Sequence, residues 1–104
     1  MGYMQLSHTR PVADRWQGIS DADNDAQTTA IYDIIAKHGG DVKLVSFAPT
    51  SNALVSAIEY PDLASAQGSV AEILALGTLE YVSVEQLWDV VEWTQMLRKA
   101  AAAR

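Results

Sequence analysis

The sequence predicts an α+β domain with two helices against one antiparallel sheet, in the order strand, helix, strand, strand, helix, strand, with a further helix at the C-terminus. Three observations predict it. Segments of period-2 alternation recur along the chain. Two stretches with helical 3,4 spacing separate them, each opened by an acidic or hydroxyl cap and closed by glycine. The two middle strands are each ended by a proline, Pro49 and Pro61, with only the turn 49–52 between them.

Residues 2–8, GYMQLSH, set Tyr3, Gln5 and Ser7 against Met4, Leu6 and His8, the alternation of a strand with one apolar face. Residues 9–20 then read as a long strand-to-helix connection. In the following helix Ser20 or Asp21 caps the start, and Asp21, Asp23 and Asp25 lie where the positive end of the helix dipole favours them. Ala26, Ala30, Ile34, Ile35 and His38 form its buried stripe, and Gly39-Gly40 stops it. Residues 41–49, DVKLVSFAP, form a second strand, ended by a proline that cannot donate to a ladder. After PTSN, residues 53–60, ALVSAIEY, complete a hairpin.

Residues 62–77, DLASAQGSVAEILALG, read as the second helix, with Asp62 as cap and Leu63, Ala66, Val70, Ile73 and Leu74 on one face. Gly68 inside it costs up to about 1 kcal/mol relative to alanine, which suggests close packing against the sheet. TLEYVSVEQL, 78–87, alternates as a fourth strand. Ser83 and Gln86 also fit a capping box, and Val82 and Val84 favour the strand. From Trp88 the chain reads as a terminal helix with Val91, Thr94 and Leu97 on one face, Arg98 and Lys99 at its C-terminal end, and a fraying tail over 99–104.

This order is the split βαβ, or ferredoxin-like, arrangement. The 104 residues make a single domain, with 49% hydrophobic and 19% charged residues, a folded and not a disordered composition. A formal charge of -6 with no Lys/Arg cluster argues against nucleic acid. The absence of cysteine removes disulfides, thiolate nucleophiles and sulfur metal sites. No basic N-terminal region leads into an apolar run, and no apolar stretch approaches the about 20 residues of a membrane span, so a cytoplasmic protein without membrane contact is expected. The two histidines fall on separate elements. DADND lacks the glycine and distal glutamate of a calcium loop, so no metal is expected.

With two helices on one face, the other face of the sheet is left uncovered; Met4, Leu6 or Tyr3 of the first strand, Val45 and Phe47 of the second and Val82 and Val84 of the fourth are expected on it, and a dimer is the expected remedy. The competing cover is the terminal helix, folded back through Trp88, Val91 and Leu97.

The run from Ala30 to Trp88 resembles the GYD-domain family, within the superfamily of dimeric α+β barrels. The carrying features are a helix ending in paired glycines, a hairpin, an apolar strand leading into Pro61-Asp62 and an alanine-rich helix, then LALG at 74–77 and an alternating strand. Ser51-Asn52-Ala53 stands where the family has its Gly-Tyr-Asp turn, and Leu79-Glu80 where it has Gly-Asn. The resemblance implies a homodimer with sheets packed face to face and a pocket between sheet and helices. The superfamily includes cofactor-free monooxygenases, lactone isomerases and cyclases, as well as proteins with no known reaction.

His8, at the end of the first strand, is the candidate base, since a neutral imidazole accepts a proton near pH 7. Tyr60 and Tyr81 would orient an oxygen. Trp16 and Trp88 would wall a pocket that Tyr32 also lines, and Arg10 or Arg15 would meet a carboxylate or phenolate. The long connection reads either as a lid packed by Trp16 or as a loop pinned by Trp16 at a dimer surface. The leading expectation is a homodimeric small-molecule enzyme of specialised metabolism. It would act on a hydrophobic or aromatic substrate, as an oxygenase, isomerase or cyclase, with no metal or bound cofactor. The rival is a non-catalytic ligand-binding or interaction protein of the GYD type.

Overall fold

A computed structural model describes residues 2–103. Strands β1 (Tyr3–Pro11), β2 (Asp41–Ala48), β3 (Ala53–Tyr60) and β4 (Leu79–Leu87) form one antiparallel sheet in the order β2-β3-β1-β4. A single-turn helix, α1 (Ala13–Trp16), follows β1. The longer helices are α2 (Asp21–Lys37), α3 (Leu63–Leu76) and α4 (Val90–Ala102). With α2 and α3 on one face of the sheet, the domain is the expected ferredoxin-like α+β fold.

Helix boundaries follow from local chemistry. The Ser20 hydroxyl accepts from the Asp23 amide at 3.1 Å, and the Asp62 carboxylate accepts from the Ser65 amide at 2.8 Å. Gly77 closes α3 in the left-handed conformation, φ 72°, at no Cβ cost. Gly40 answers a different need. A Cβ there would lie 2.5 Å from Ile35 Cγ2 and 2.8 Å from Tyr60 Cε1, so the chain leaves α2 pressed against its own core.

That core joins Ile35 of α2, Ile58 and Tyr60 of β3, and Ala66 and Ile73 of α3. The buried Tyr60 hydroxyl donates to Ser69 Oγ at 2.8 Å, satisfying both groups. Gly68 admits the ring of His38 at the end of α2, with a virtual Cβ 2.8 Å from His38 Cε1. The close approach expected there is therefore made to the neighbouring helix. His38 Nε2 and Lys37 Nζ both meet Glu72 Oε1, at 3.1 and 2.8 Å, tying α2 to α3.

Several boundaries and facings differ from the sequence reading. β1 runs three residues beyond His8, because Thr9, Arg10 and Pro11 still pair with β4. The connection accordingly shrinks to residues 12–20 and contains α1. On β1 the buried residues under the helices are Gln5, Ser7 and Thr9, so the row with Met4, Leu6 and His8 is the one turned to the open face. Register shifts in β2 between Val42 and Leu44, and opposite His8/Thr9 in β4, reverse the alternation beyond them. As a result Val45 and Phe47, paired with Ser56 and Leu54, and Val84, paired with Ser7, stand on the helix side and not on the uncovered face where they were expected.

The open face carries Leu44 of β2, Val55 and Ala57 of β3, Met4, Leu6 and His8 of β1, and Leu87 of β4. Helix α4 does not cover it: the helix makes no extended contact with the sheet or with the other helices.

Candidate functional site

A cavity of about 230 Å³ lies between α2 and the helix-facing side of the sheet. Helical spacing puts Thr28, Ile31, Tyr32 and Ile35 on one stripe of α2, and these form its roof. Thr9 and Pro11 come from β1, and Leu54, Ser56 and Ile58 from β3. Val42 and Val45, three apart in sequence, reach the same side only because of the shift between them in β2. The space exceeds the roughly 150 Å³ apolar cavity known to take benzene.

Trp16 closes one end. Its Nε1 donates to the Thr78 carbonyl at 2.7 Å, and the Val12 amide donates to the same oxygen at 3.0 Å. Gln27 Nε2 of α2 donates to the Arg15 carbonyl at 2.9 Å. The connection 12–20 is thus fastened at both sides, to the turn after α3 and to the first half of α2. Its tryptophan lies against the cavity.

The chemistry of the lining is narrow. Its walls are aliphatic and aromatic, and the hydroxyls of Thr9, Thr28, Tyr32 and Ser56 are its polar side-chain groups. None of the lining residues is Asp, Glu, Lys, Arg or His, and Tyr32 is the only ionisable one. Such a site favours an uncharged guest, because an ion would lose its hydration without gaining a partner. Among the described residues no group of three or more His, Asp or Glu side chains gathers to hold a metal.

Of the residues singled out from sequence, Trp16 and Tyr32 meet at this cavity and the others do not. His8 is next to Thr9 in β1 and therefore projects from the opposite face, where its Nδ1 is 3.0 Å from Ser83 Oγ. Tyr60 and Tyr81 belong to the core beside the cavity. Burial raises the pKa of both phenols. For Tyr60 the bond to Ser69 partly offsets it, and for Tyr81 the neighbouring Tyr60 adds to a large shift. Arg15 reaches the carbonyl of Leu76 at 3.5 Å, near the C-terminus of α3. Arg10 is on the open face and donates to the hairpin-turn carbonyls of Asn52 and Ser51, at 3.0 and 2.8 Å.

Trp88 packs edge-on to Trp93, ring centroids 5.8 Å apart, at the far end of the sheet. It borders a second, wider recess between Met4, Leu87 and the start of α4, rimmed by the carboxylates of Glu59, Asp89 and Glu92. The cavity residues that sequence reasoning missed, Thr9 and Ser56 above all, carry no signal of their own. A hydroxyl in a strand is ordinary, and only the register shows that these two share a face with Leu54 and Val45.

Compared with known proteins, the sequence matches no family model and no curated protein.

Proposed function

We propose that the chain is a homodimeric protein that binds a small, uncharged, largely hydrophobic molecule in the cavity beneath α2. One observation carries the reading: an apolar cavity of ligand size, bordered at one end by Trp16, whose polar contacts are hydroxyls and whose lining holds no charged group. A ring system bearing one or two carbonyl or hydroxyl oxygens fits it, with the oxygens directed to Thr9 or Ser56, since the Thr28 hydroxyl already donates to the Asn24 carbonyl at 3.0 Å. The resemblance to GYD-domain proteins, with their pocket between sheet and helices, points the same way. The dimer is supported by the open face, where Leu44 is 50% and Leu87 38% exposed and Met4, Leu6 and Val55 lie between them. The reading includes a cytoplasmic location for a chain without cysteine.

Catalysis without metal or bound cofactor, of the oxygenase, isomerase or cyclase type, is the second reading. What favours it is the Tyr32 hydroxyl, the one ionisable group in the lining. In that reading the substrate supplies the reactive group, and Tyr32 holds or moves a proton at its oxygen.

A neutral fluorescent probe, N-phenyl-1-naphthylamine, tests the binding reading. Titration of the protein gives saturable enhancement, and Ser56→Leu, which fills the cavity from its floor, abolishes it. Unchanged probe affinity in Ser56→Leu would show that the cavity is not the binding site.

A further inference from the structure

The helix α4 is the part of the molecule that the fold does not explain. It is a complete amphipathic helix: Val90, Trp93, Met96, Leu97, Ala100 and Ala101 share one side, and Glu92, Gln95 and Lys99 lie on the other. Yet its apolar side is left open. Val90 is 76% exposed, Trp93 50%, Met96 46% and Leu97 51%. The expected fold-back through Val91 does not cover it either: Val91, Glu92, Gln95 and the edge residue Met96 border the recess toward the sheet, while Val90, Trp93 and Leu97 turn elsewhere.

The helix is nonetheless well formed at its start. Asp89 caps it, accepting from the Val91 amide at 2.8 Å, and Trp88 braces Trp93 edge-on. The consequence shows in the shape. The radius of gyration is 16.3 Å, against about 13 Å for a compact chain of this length, and the long axis is 59 Å.

The geometry points to a reciprocal arm exchange: α4 of one copy lays its apolar stripe on the open sheet face of a second copy, and receives the partner's arm in return. This inference rests on the homodimer reading and states what builds the interface. Three features select a second copy as the occupant. The dimensions match, since thirteen residues of helix span about 20 Å and four strands about as much. The chemistry matches, because the apolar stripe of the arm meets an open face on which Leu44, Val55, Leu6 and Leu87 are its exposed or half-buried apolar residues. Finally, two arms of this kind with the faces they cover supply on the order of 1,000 Å² of buried surface, the threshold for a specific interface.

The chain's lack of cysteine makes a direct test possible. Full-length Ala100→Cys, on the arm, and Ser46→Cys, on the open face of β2, are purified separately, mixed, allowed to exchange subunits and treated with a short bismaleimide. Exchange yields a linked species of twice 11.3 kDa in which the arm thiol of one variant is joined to the sheet thiol of the other. In parallel, Leu97→Glu raises the dimer dissociation constant by at least about tenfold, a loss typical of a central apolar anchor. Because Leu97 is exposed within the chain, circular dichroism of that variant remains native.

A dimer that links only arm to arm or sheet to sheet, unaffected by Leu97→Glu, overturns the exchange and leaves the dimer standing. A monomer near 11.3 kDa at micromolar concentration overturns both.

Discussion

Replacing Trp16 separates the lid's anchoring bond from its apolar contact with the cavity. In Trp16→Phe the ring remains and the Nε1 donor is lost. The Thr78 carbonyl, which accepts that bond at 2.7 Å, keeps its second bond from the Val12 amide at 3.0 Å and is not orphaned. The cost is then that of one net hydrogen bond plus a small loss of ring area, about 1 kcal/mol. Trp16→Ala also removes a large part of the cavity wall. A fully buried Trp→Ala change costs about 3–5 kcal/mol, and Trp16 is only partly buried, so roughly 2 kcal/mol is expected. For a domain of this size each kcal/mol moves the melting temperature by about 4–8 °C. Differential scanning calorimetry measures the stability, and probe titration the site. Phe should retain most of the probe affinity, whereas Ala should lose it. If Trp16→Ala matched the wild type in both measurements, the tryptophan would be neither anchor nor lid.

Other expectations follow from the core and caps. Gly40→Ala forces a Cβ against Ile35 and Tyr60 and should destabilise by about 1–3 kcal/mol in urea unfolding; a neutral result would mean that the chain there yields freely. Tyr60 and Tyr81 have phenol pKa values raised in the folded state, so their contribution is fully present below about pH 10, the unfolded value, and is lost as pH rises above it. Absorbance at 295 nm should therefore show these two tyrosines ionising only along with alkaline unfolding, and reversible titration of all four tyrosines near pH 10 in the native fold would contradict this. The Asp62 carboxyl is held below its usual range by the Ser65 amide, so its cap stabilises α3 above the unfolded carboxylate pKa and weakens as pH falls through the folded one. Asp62→Ala should lower the melting temperature at pH 7, and the gap should narrow in acid.

The order of elements was legible because each signal is local. Asp62 and Ser20 cap as their positions suggest, Gly77 adopts the left-handed turn, and period-2 runs became strands. Facing was less legible. A strand's alternation says which residues share a side but not which side meets the helices, and β1 puts its polar row Gln5, Ser7 and Thr9 inward. A single extra residue at Lys43, or at Val82, then reverses the assignment for the rest of the strand, and nothing in the composition marks such a shift.

The same physics governed the site. Trp16 and Tyr32 stand out as aromatic residues in a loop and a helix, and both reach the cavity. His8 drew attention for its chemistry, and its one-residue offset from Thr9 places it across the sheet from the cavity. The arm helix was recognised as a helix. Its isolation was not legible, because amphipathicity shows that a helix needs a partner surface without showing where that surface lies.

Chemical-shift mapping tests the central claim, that the cavity beneath α2 is the binding site, most directly. In 15N-resolved spectra of the full chain titrated with N-phenyl-1-naphthylamine, the amides of Thr9, Thr28, Tyr32, Val45 and Ser56 should move together and saturate with the fluorescence isotherm. Shifts confined to the second recess, around Met4, Leu87, Trp88 and Met96, or no saturable shifts at all, would contradict it.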